Sequence, residues 1–269
     1  MTATAESLRL QLTPPVRYVL RWADTCLIHA QRLSEWCGHG PVLEEDIALT
    51  NLALDLIGQA RALLTRAGQL EGQGFDEDQL AFLRDEGDYL NATLAEQPLR
   101  RSSAHAPGGD FADTVVRNLL LSTWLKLAWQ RLTSSADAEL AAIAAKALKE
   151  ARYHQQHAAD WTVRLGDGTD ESHRRMQRAL LAAWPYTAEL FAADAVDAAA
   201  VASGLGPSRA DLREPWLAEL QPLLAEATLA QPADTPFVST GTQGVHSEHM
   251  GFILAEMQSL QRRYPGGRW

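Results

Sequence analysis

The sequence has few cysteines, no runs of β-branched residues and no long uninterrupted apolar segment. Its two cysteines, Cys26 and Cys37, would lie about 16 Å apart along one helix axis, which is too far for a disulfide. No apolar run approaches the ~20 residues of a transmembrane helix. The start, MTATAESLRLQL, lacks the basic and apolar regions of a signal peptide. We therefore expect reduced thiols, a cytoplasmic location and no membrane segment.

Positive charge is scarce as well, with 24 Lys and Arg against 34 Asp and Glu and a net charge of −10. Nucleic acid rewards clustered Lys and Arg that neutralise phosphates, so this excess of acids argues against such a partner. Three small basic clusters remain as candidate contacts for a polyanionic ligand or an acidic partner. They are Arg100 and Arg101; Arg174, Arg175 and Arg178; and Arg262, Arg263 and Arg268.

Ala and Leu at helical spacing dominate the rest of the chain, and alternating strand patterns are absent. The predicted helices cover residues 15–37, 43–70, 76–96, 111–133, 136–165, 171–199, 209–229 and 244–263. The four longest of the well-patterned helices form two antiparallel pairs, as in a ferritin-like bundle. We predict an all-α, ferritin-like helical bundle with additional helices, one domain over 1–269, and a flexible tail at 1–14.

Polar side chains recur every four residues on two of these helices. Residues 51, 55 and 59 are Asn, Asp and Gln inside an apolar helix, and Asp55 stands between two leucines. The helix at 136–165 carries Lys146, Glu150 and His154 at the same spacing, with Tyr153 beside them and His157 one turn on. If the two helices face each other, Asp55, Lys146 and Glu150 can form a buried ion network.

The same residues raise the question of a metal site. Di-iron centres of helical bundles use four carboxylates and two Glu-x-x-His pairs. Here Gly58 stands three residues after Asp55 and Tyr153 stands three residues after Glu150, so neither pair is complete. Lys146 would also repel a metal ion. We expect no metal in this chain and interpret Asp55, Lys146, Glu150, Tyr153 and His154 as a degenerate metal-site network.

The stretch HSEH places His246 and His249 three residues apart near the start of the last predicted helix. A zinc protease helix needs His-Glu-x-x-His, with imidazoles four residues apart and a Glu base between them. The spacing is wrong for that site, so we expect structural hydrogen bonds. The tryptophans are mostly at helical spacing with apolar residues, and four of them are candidate anchors for a partner. These are Trp22, Trp36, Trp124 and Trp129.

Five stretches in order resemble the C-subunit family of the bacterial phenylacetyl-CoA epoxidases. They are QRLSEWCGHGPVLEEDIALTNLALDLIGQAR, FADTVVRN, AKALKEARYHQQH, RLGDGTDES and GVHSEHMGFILAEMQSLQR. The resemblance runs from about Tyr18 to Trp269. It implies a ferritin-like fold and a role in aerobic phenylacetate catabolism.

The resemblance further implies a chain that is not catalytic on its own and binds a catalytic A subunit together with other epoxidase subunits. In that family the A subunit holds the di-iron centre, and a reductase subunit with FAD and an iron–sulfur cluster delivers electrons from NADPH. The complex uses O2 to convert phenylacetyl-CoA into its ring-1,2-epoxide. No cofactor is then expected in this chain.

Two further expectations stay open at this point. An independent di-metal oxidase that uses Glu150, His154 and His157 is the alternative to a non-catalytic subunit. Contact with phenylacetyl-CoA or a neighbouring chain is a candidate role for a segment before the Arg100–Arg101 loop, because it places an aromatic and an amide beside basic residues. Its residues are Asp88, Tyr89, Leu90 and Asn91.

Overall fold

The computed structural model describes residues 6–98 and 110–267. Arg100, Arg101 and Arg268, which belong to the predicted basic clusters, lie outside the described residues, as does most of the predicted loop at 98–110. Within the described ranges the regular structure is helical, and the β-contact there is an isolated antiparallel bridge between Thr240 and Val245. The predicted all-α class is therefore confirmed.

The α-helices of the described residues follow one another along the chain. They are α1 (Pro14–Ser34), α2 (Leu43–Glu71), α3 (Glu77–Phe82), α4 (Thr93–Glu96), α5 (Phe111–Leu132), α6 (Ala138–Gly166), α7 (Asp170–Ala183), α8 (Ala195–Ser203), α9 (Arg213–Glu226), α10 (Glu248–Met257) and α11 (Ser259–Arg263). Short 3-10 helices occupy Glu86–Asp88, Trp184–Phe191, Arg209–Leu212 and Gly241–Gln243.

The long helices agree with the sequence prediction, and the shorter ones are more broken than predicted. The helix predicted at 76–96 is wrong between Leu83 and Ala92, where a 3-10 turn and extended residues separate α3 from α4. The helix predicted at 171–199 stops at Ala183, because Pro185 follows and a 3-10 helix begins. Helix starts are set by local caps: the Asp137 carboxylate accepts hydrogen bonds from two backbone amides of α6.

Contacts within the chain define two compact units. One comprises the described residues of 1–37, 47–97 and 240–269, and the other comprises 38–46 and the described residues of 98–239. In the first unit α1 packs with α4 and α10. The Cys26 thiol of α1 also lies 3.7 Å from the amide oxygen of Gln59 on α2. Cys26 and Cys37 are both free thiols.

The second unit is built on the packing of α5 against α6, with α7 and α9 against them. Trp124 and Trp216 are core residues of this unit: the Trp124 indole donates to the backbone oxygen of Leu190 (3.1 Å), and the Trp216 indole donates to that of Leu120 (3.0 Å). The prediction that four tryptophans in and near α1 and α5 are anchors for a partner is wrong. Trp22, Trp36, Trp124 and Trp129 are at most 5% exposed.

Helix α2 has a buried face and an exposed apolar face. The residues at helical spacing on its inner face are all buried, namely Leu49, Leu52, Leu56, Ala60, Leu63 and Ala67. Among the described residues α2 is the one helix long and apolar enough to cross a membrane by length and composition, yet only 44% of its most apolar stretch is buried. Asp55 and Gly58 interrupt this stretch in the sequence, which is why no uninterrupted apolar run stands out there.

We predict that alanine has opposite effects on stability at two glycines inside α2. A Cβ at Gly58 would meet nothing within 4 Å, whereas a Cβ at Gly68 would lie 2.2 Å from the backbone oxygen of Phe75. We expect Gly58→Ala to stabilise the protein by about 0.5–1 kcal/mol, because alanine loses less backbone entropy in a helix. Gly68→Ala should destabilise it by about 1–3 kcal/mol through overpacking. Urea unfolding of both variants measures this, and equal changes of one sign would contradict it.

Candidate functional site

The polar row on α6 turns from solvent into the core. Lys146 and Glu150 form an ion pair at 3.8 Å, with side chains 78% and 21% exposed, and His154 is buried. A step of four residues on an α-helix turns about 40° past a full circle, so residues at that spacing drift around the axis. The predicted pairing of Lys146 with Glu150 is confirmed. Its predicted place in the interior is wrong.

The same drift explains the row on α2. Asn51 is exposed, Asp55 is half-buried and Gln59 is buried at 4% exposure. A network that joins Asp55 to Glu150 stays a prediction.

Two histidines of α6 have different surroundings. His157 Nε2 lies 3.0 Å from Glu45 Oε2, and both side chains are nearly buried. Tyr153 is 57% exposed, and its ring stands 6.4 Å from that of His154 and 6.2 Å from that of His157. Glu45 was not predicted as a partner, because it lies 112 residues away and nothing local marks it.

These residues do not fit a di-iron centre. The position three residues after Glu150 holds an exposed tyrosine, and the position three after Asp55 is glycine. Among the described residues no group of three His, Cys, Asp or Glu side chains is placed to hold a metal ion. His157 has taken Glu45 as its hydrogen-bond partner. The ligand set that a bundle metal centre requires is therefore not present in these residues.

The segment proposed to approach phenylacetyl-CoA lies in the core of the first unit. Tyr89, Leu90 and Asn91 are at most 1% exposed, and Asp88 is half-buried. Asp24 and Arg84 form a fully buried ion pair beside them, and Asp24 also accepts a hydrogen bond from the Leu90 amide (2.8 Å).

Arg84 and Tyr89 form a second contact within this core. The Arg84 guanidinium lies 4.1 Å from the centre of the Tyr89 ring. The Tyr89 hydroxyl donates to the backbone oxygen of Ala81 and accepts from Gln258. Burial raises the pKa of Tyr89 to about 12, despite the nearby Arg84 charge. The phenol is therefore neutral and structural.

His246 and Glu96 form the second ionic centre of this core. His246 Nδ1 donates to Glu96 Oε2 (2.8 Å), and Nε2 donates to the backbone oxygen of Tyr89 (2.8 Å). The carbonyl oxygen of Tyr89 can only accept a hydrogen bond. The Glu96 carboxylate also acts only as an acceptor, since its other contacts are the donors Asn91 Nδ2 and Ser247 N–H. Both ring nitrogens therefore carry protons, and His246 is an imidazolium. The predicted structural hydrogen bonding of this histidine is confirmed.

The pKa shifts of the pair agree with this assignment. Burial acts to lower the pKa of His246, but the hydrogen bond and charge of Glu96 outweigh it and the pKa is raised. Burial acts to raise the pKa of Glu96, but the hydrogen bond and charge of His246 outweigh it and the pKa is lowered. Each group holds the other in its charged form.

The basic clusters are engaged with acids of their own unit. Arg178 pairs with the buried carboxylate of Asp110, which caps the start of α5, and Arg174 pairs with Glu171. Arg262 of α11 lies 3.4 Å from Asp85. These contacts explain Arg174, Arg178 and Arg262 without a ligand.

The matches to known proteins extend over all or nearly all of the chain. A family model described as Phenylacetic acid catabolic protein matches residues 1–269. The chain belongs to this family. It is 48% identical over 252 residues to the C subunit of the 1,2-phenylacetyl-CoA epoxidase of Escherichia coli (strain K12), across 94% of this chain and 98% of that protein. The resemblance found in the sequence is thus confirmed, together with the ferritin-like helical class of this phenylacetic acid catabolic family.

We predict very different losses in the free energy of unfolding when the two ion pairs, Asp24–Arg84 and Lys146–Glu150, are broken. Asp24→Asn leaves the guanidinium of Arg84 buried without its counter-ion, so we expect a loss of ~3–5 kcal/mol in the free energy of unfolding. Lys146→Met removes a charge that is 78% exposed, and should change stability by less than ~1 kcal/mol. Urea denaturation of the two variants tests this. Similar losses in both would contradict the assignment of the buried pair as the structural one.

We predict that the contribution of His246 to the stability of the folded protein depends on pH. Its pKa is raised in the folded protein, so its contribution is full below about pH 6.5, the unfolded value, and is lost as the pH rises through the folded pKa. Glu96 has a lowered pKa, so its contribution is present above about pH 4.5 and is lost as the pH falls through the folded value.

The test compares wild type with His246→Gln in thermal unfolding at several pH values. The advantage of the wild type should shrink as the pH rises above about 6.5. His249→Gln, in a side chain that is 31% exposed, is the matched control and should leave the pH profile unchanged. A constant difference between wild type and His246→Gln at every pH would show that no imidazolium is formed.

Proposed function

We propose that the chain is the C-type subunit of a multicomponent phenylacetyl-CoA epoxidase and supports a di-iron A subunit without catalysing the reaction itself. The observation that carries this proposal is the 48% identity to the C subunit of such an epoxidase across nearly the full length of both chains. A match of this extent covers the helices, the loops and both compact units, so it includes the surfaces that assembly would use.

The absence of a ligand set among the described residues of α6 supports the non-catalytic part of the proposal. A di-iron oxygenase needs its carboxylates and imidazoles to converge, and here Tyr153 faces solvent while His157 pairs with Glu45. Binding of O2, electron transfer from NADPH through FAD and an iron–sulfur cluster, and epoxidation would then belong to the other subunits. The proposed location of the complex is the cytoplasm.

The buried network of the first unit supports a scaffold role. Tyr89, Leu90 and Asn91 connect α1 and α4 to the C-terminal segment through hydrogen bonds with Asp24, Glu96 and Gln258, and their side chains do not reach the surface. Such a network holds helices in a single arrangement, which is what a partner surface requires. We therefore assign these residues to rigidity rather than to contact with phenylacetyl-CoA.

The experiment is co-expression of the catalytic A subunit with and without this chain. We expect the A subunit to be active only when this chain copurifies with it, and this chain purified alone to contain substoichiometric iron. Activity is followed as phenylacetyl-CoA consumption in the presence of the reductase, NADPH and O2.

The iron measurement includes the A subunit as a loaded control, for which about two irons per chain are expected. Full activity of the A subunit alone would contradict the supporting role. About two irons in this chain, lost on Glu150→Gln, would instead establish an independent di-metal oxidase.

A further inference from the structure

Two glycines bring residues 240–257, the His246 segment, close to the backbone of the first unit. A Cβ at Gly241 would lie 2.5 Å from the backbone oxygen of Asn91, and a Cβ at Gly244 would come closer still to that of Gly87. Gly244 also has a φ of +85°, a conformation that favours glycine. No side chain can stand between the two stretches of backbone at these points, so the contact there is thin.

Side chains hold the His246 segment in place. Within the described ranges, no backbone-to-backbone hydrogen bond joins it to residues 84–96. Its amides at Gly241 and Ser247 donate instead to Thr93 Oγ1 (3.1 Å) and Glu96 Oε1 (2.6 Å). The buried apolar residues of α10 are Met250, Ile253 and Leu254. A segment with so few backbone bonds and apolar contacts can open locally while the rest of the protein stays folded.

His246 is the centre of these contacts. Its imidazole and the Glu96 carboxylate are fully buried, and its two ring nitrogens donate to Glu96 and to the backbone oxygen of Tyr89. A ring that loses a proton keeps a single N–H, so one of these two acceptors then faces a lone pair of the ring. A buried acceptor without a donor destabilises the closed arrangement, whereas water satisfies it when the segment moves away.

The charged groups around His246 favour its imidazolium. Glu96 of α4 and Asp24 of α1 both act to raise its pKa. The guanidiniums of the same elements are engaged with other acceptors: Arg84 pairs with Asp24, and Arg21 and Arg32 donate to backbone oxygens. Glu96 is thus the direct counter-ion of the ring.

The other titratable groups near the segment do not replace His246. The 3-10 turn Glu86–Asp88 packs with α10 and contributes two carboxylates, and α10 itself contributes Glu248, His249 and Glu256. Burial raises the pKa of Tyr89 to about 12, so its phenol stays neutral near pH 7. The first unit holds two further histidines among its described residues, His29 of α1 and His249 of α10, and these serve as controls.

We propose that the His246 segment is a pH-sensitive element of the fold, which is closed while His246 is an imidazolium and opens as a local unit when the ring loses its proton. Gln258, the next residue, donates to the backbone oxygen of Arg84 (2.9 Å) and to the Tyr89 hydroxyl (2.8 Å). These bonds keep the following helix attached and confine the opening to residues 240–257.

The sign of the pH dependence follows from linkage. The opening constant is lowest below about pH 6.5, the unfolded value for histidine. It rises by up to about tenfold per pH unit from there to the folded pKa, and it is constant above that value, because both states are then neutral at this ring.

The proposal goes beyond the proposed function and is tested on the full chain alone, so its failure would leave the subunit assignment untouched. Hydrogen exchange followed by mass spectrometry measures the amides of α10 from about pH 6 to 9. Amide exchange itself accelerates about tenfold per pH unit, so a pH-independent opening gives a slope of about one in the logarithm of the rate. We expect a slope between one and two for α10 above about pH 6.5. Amides of α1 should exchange about tenfold or more slowly, because local opening leaves α1 closed.

Three variants identify the group that controls the opening. His246→Gln should give a slope of about one in α10 and exchange about tenfold or more faster than wild type at pH 6.5, because no imidazolium forms. Glu96→Gln removes the counter-ion and should shift the NMR titration of His246, and the steep region with it, to lower pH. His249→Gln is the matched control and should leave both unchanged. Circular dichroism checks that each variant is folded.

The wild-type exchange and the NMR titration, assigned separately for His29, His246 and His249, decide the case even where a variant fails to fold. A slope of about one in wild-type α10, or a His246 that titrates at or below about pH 6.5, would overturn the proposal. So would a steep region that persists in His246→Gln. Equal exchange rates in α10 and α1 would show unfolding of the whole unit in place of a local opening, and would overturn it as well.

Discussion

The first unit depends on the buried ion pair between Asp24 and Arg84. Both side chains are fully buried, so each charge has lost its hydration and is stable only because the other is present. Arg84 also donates to the backbone oxygens of Leu80 and Asp88, and Asp24 also accepts from the Leu90 amide. The pair thereby holds the irregular chain between α3 and α4 against α1. Without it, this non-helical backbone would leave buried polar groups unpaired.

The imidazolium of His246 extends the same arrangement to the C-terminal segment. Arg32 and Arg21 of α1 donate to the backbone oxygens of Glu96 and Thr242, so cations of α1 hold the end of α4 and the short 3-10 helix Gly241–Gln243. A helical protein can therefore include an irregular segment in its core where buried cations replace the hydrogen bonds of a helix. In this unit the polar contacts determine how the segments are positioned, and the apolar faces of α1 and α2 provide the buried apolar surface.

Helical periodicity predicted the parts of the fold that depend on local spacing. The apolar faces of α1 and α2 could be predicted because each residue is related to the next by the same rotation. Spacing also accounts for the error at Lys146, since the four-residue row was treated as one face and the drift of about 40° per step was neglected. The loss of the metal-binding pairs at Asp55 and Glu150 could be predicted from the sequence, because it required only the identity of the residue three positions later.

The partners of the buried charges could not be predicted in this way. His246 and Glu96 are 150 residues apart, and Arg84 and Asp24 are 60 apart. Neither pair has a spacing or motif that marks one residue as the other's partner. Tertiary packing alone brings them together. The tryptophans were misassigned for a related reason: large apolar residues at helical spacing fit a core and an interface equally well, and only the burial of residues such as Trp22 and Trp124 in the folded chain distinguishes the two.

The order of the two units along the chain has a consequence for synthesis. Most of the second unit is a continuous stretch that emerges from the ribosome before residue 240, whereas the first unit lacks its segment after residue 239 until that segment is synthesised. Contacts such as Arg21 to Thr242, which are 221 residues apart, cannot form earlier. The nascent first unit therefore holds Asp24, Arg84 and Glu96 without the imidazolium that completes their surroundings. Its folding must wait until the residues after 239 have been made, so the first unit is the later of the two to complete its core.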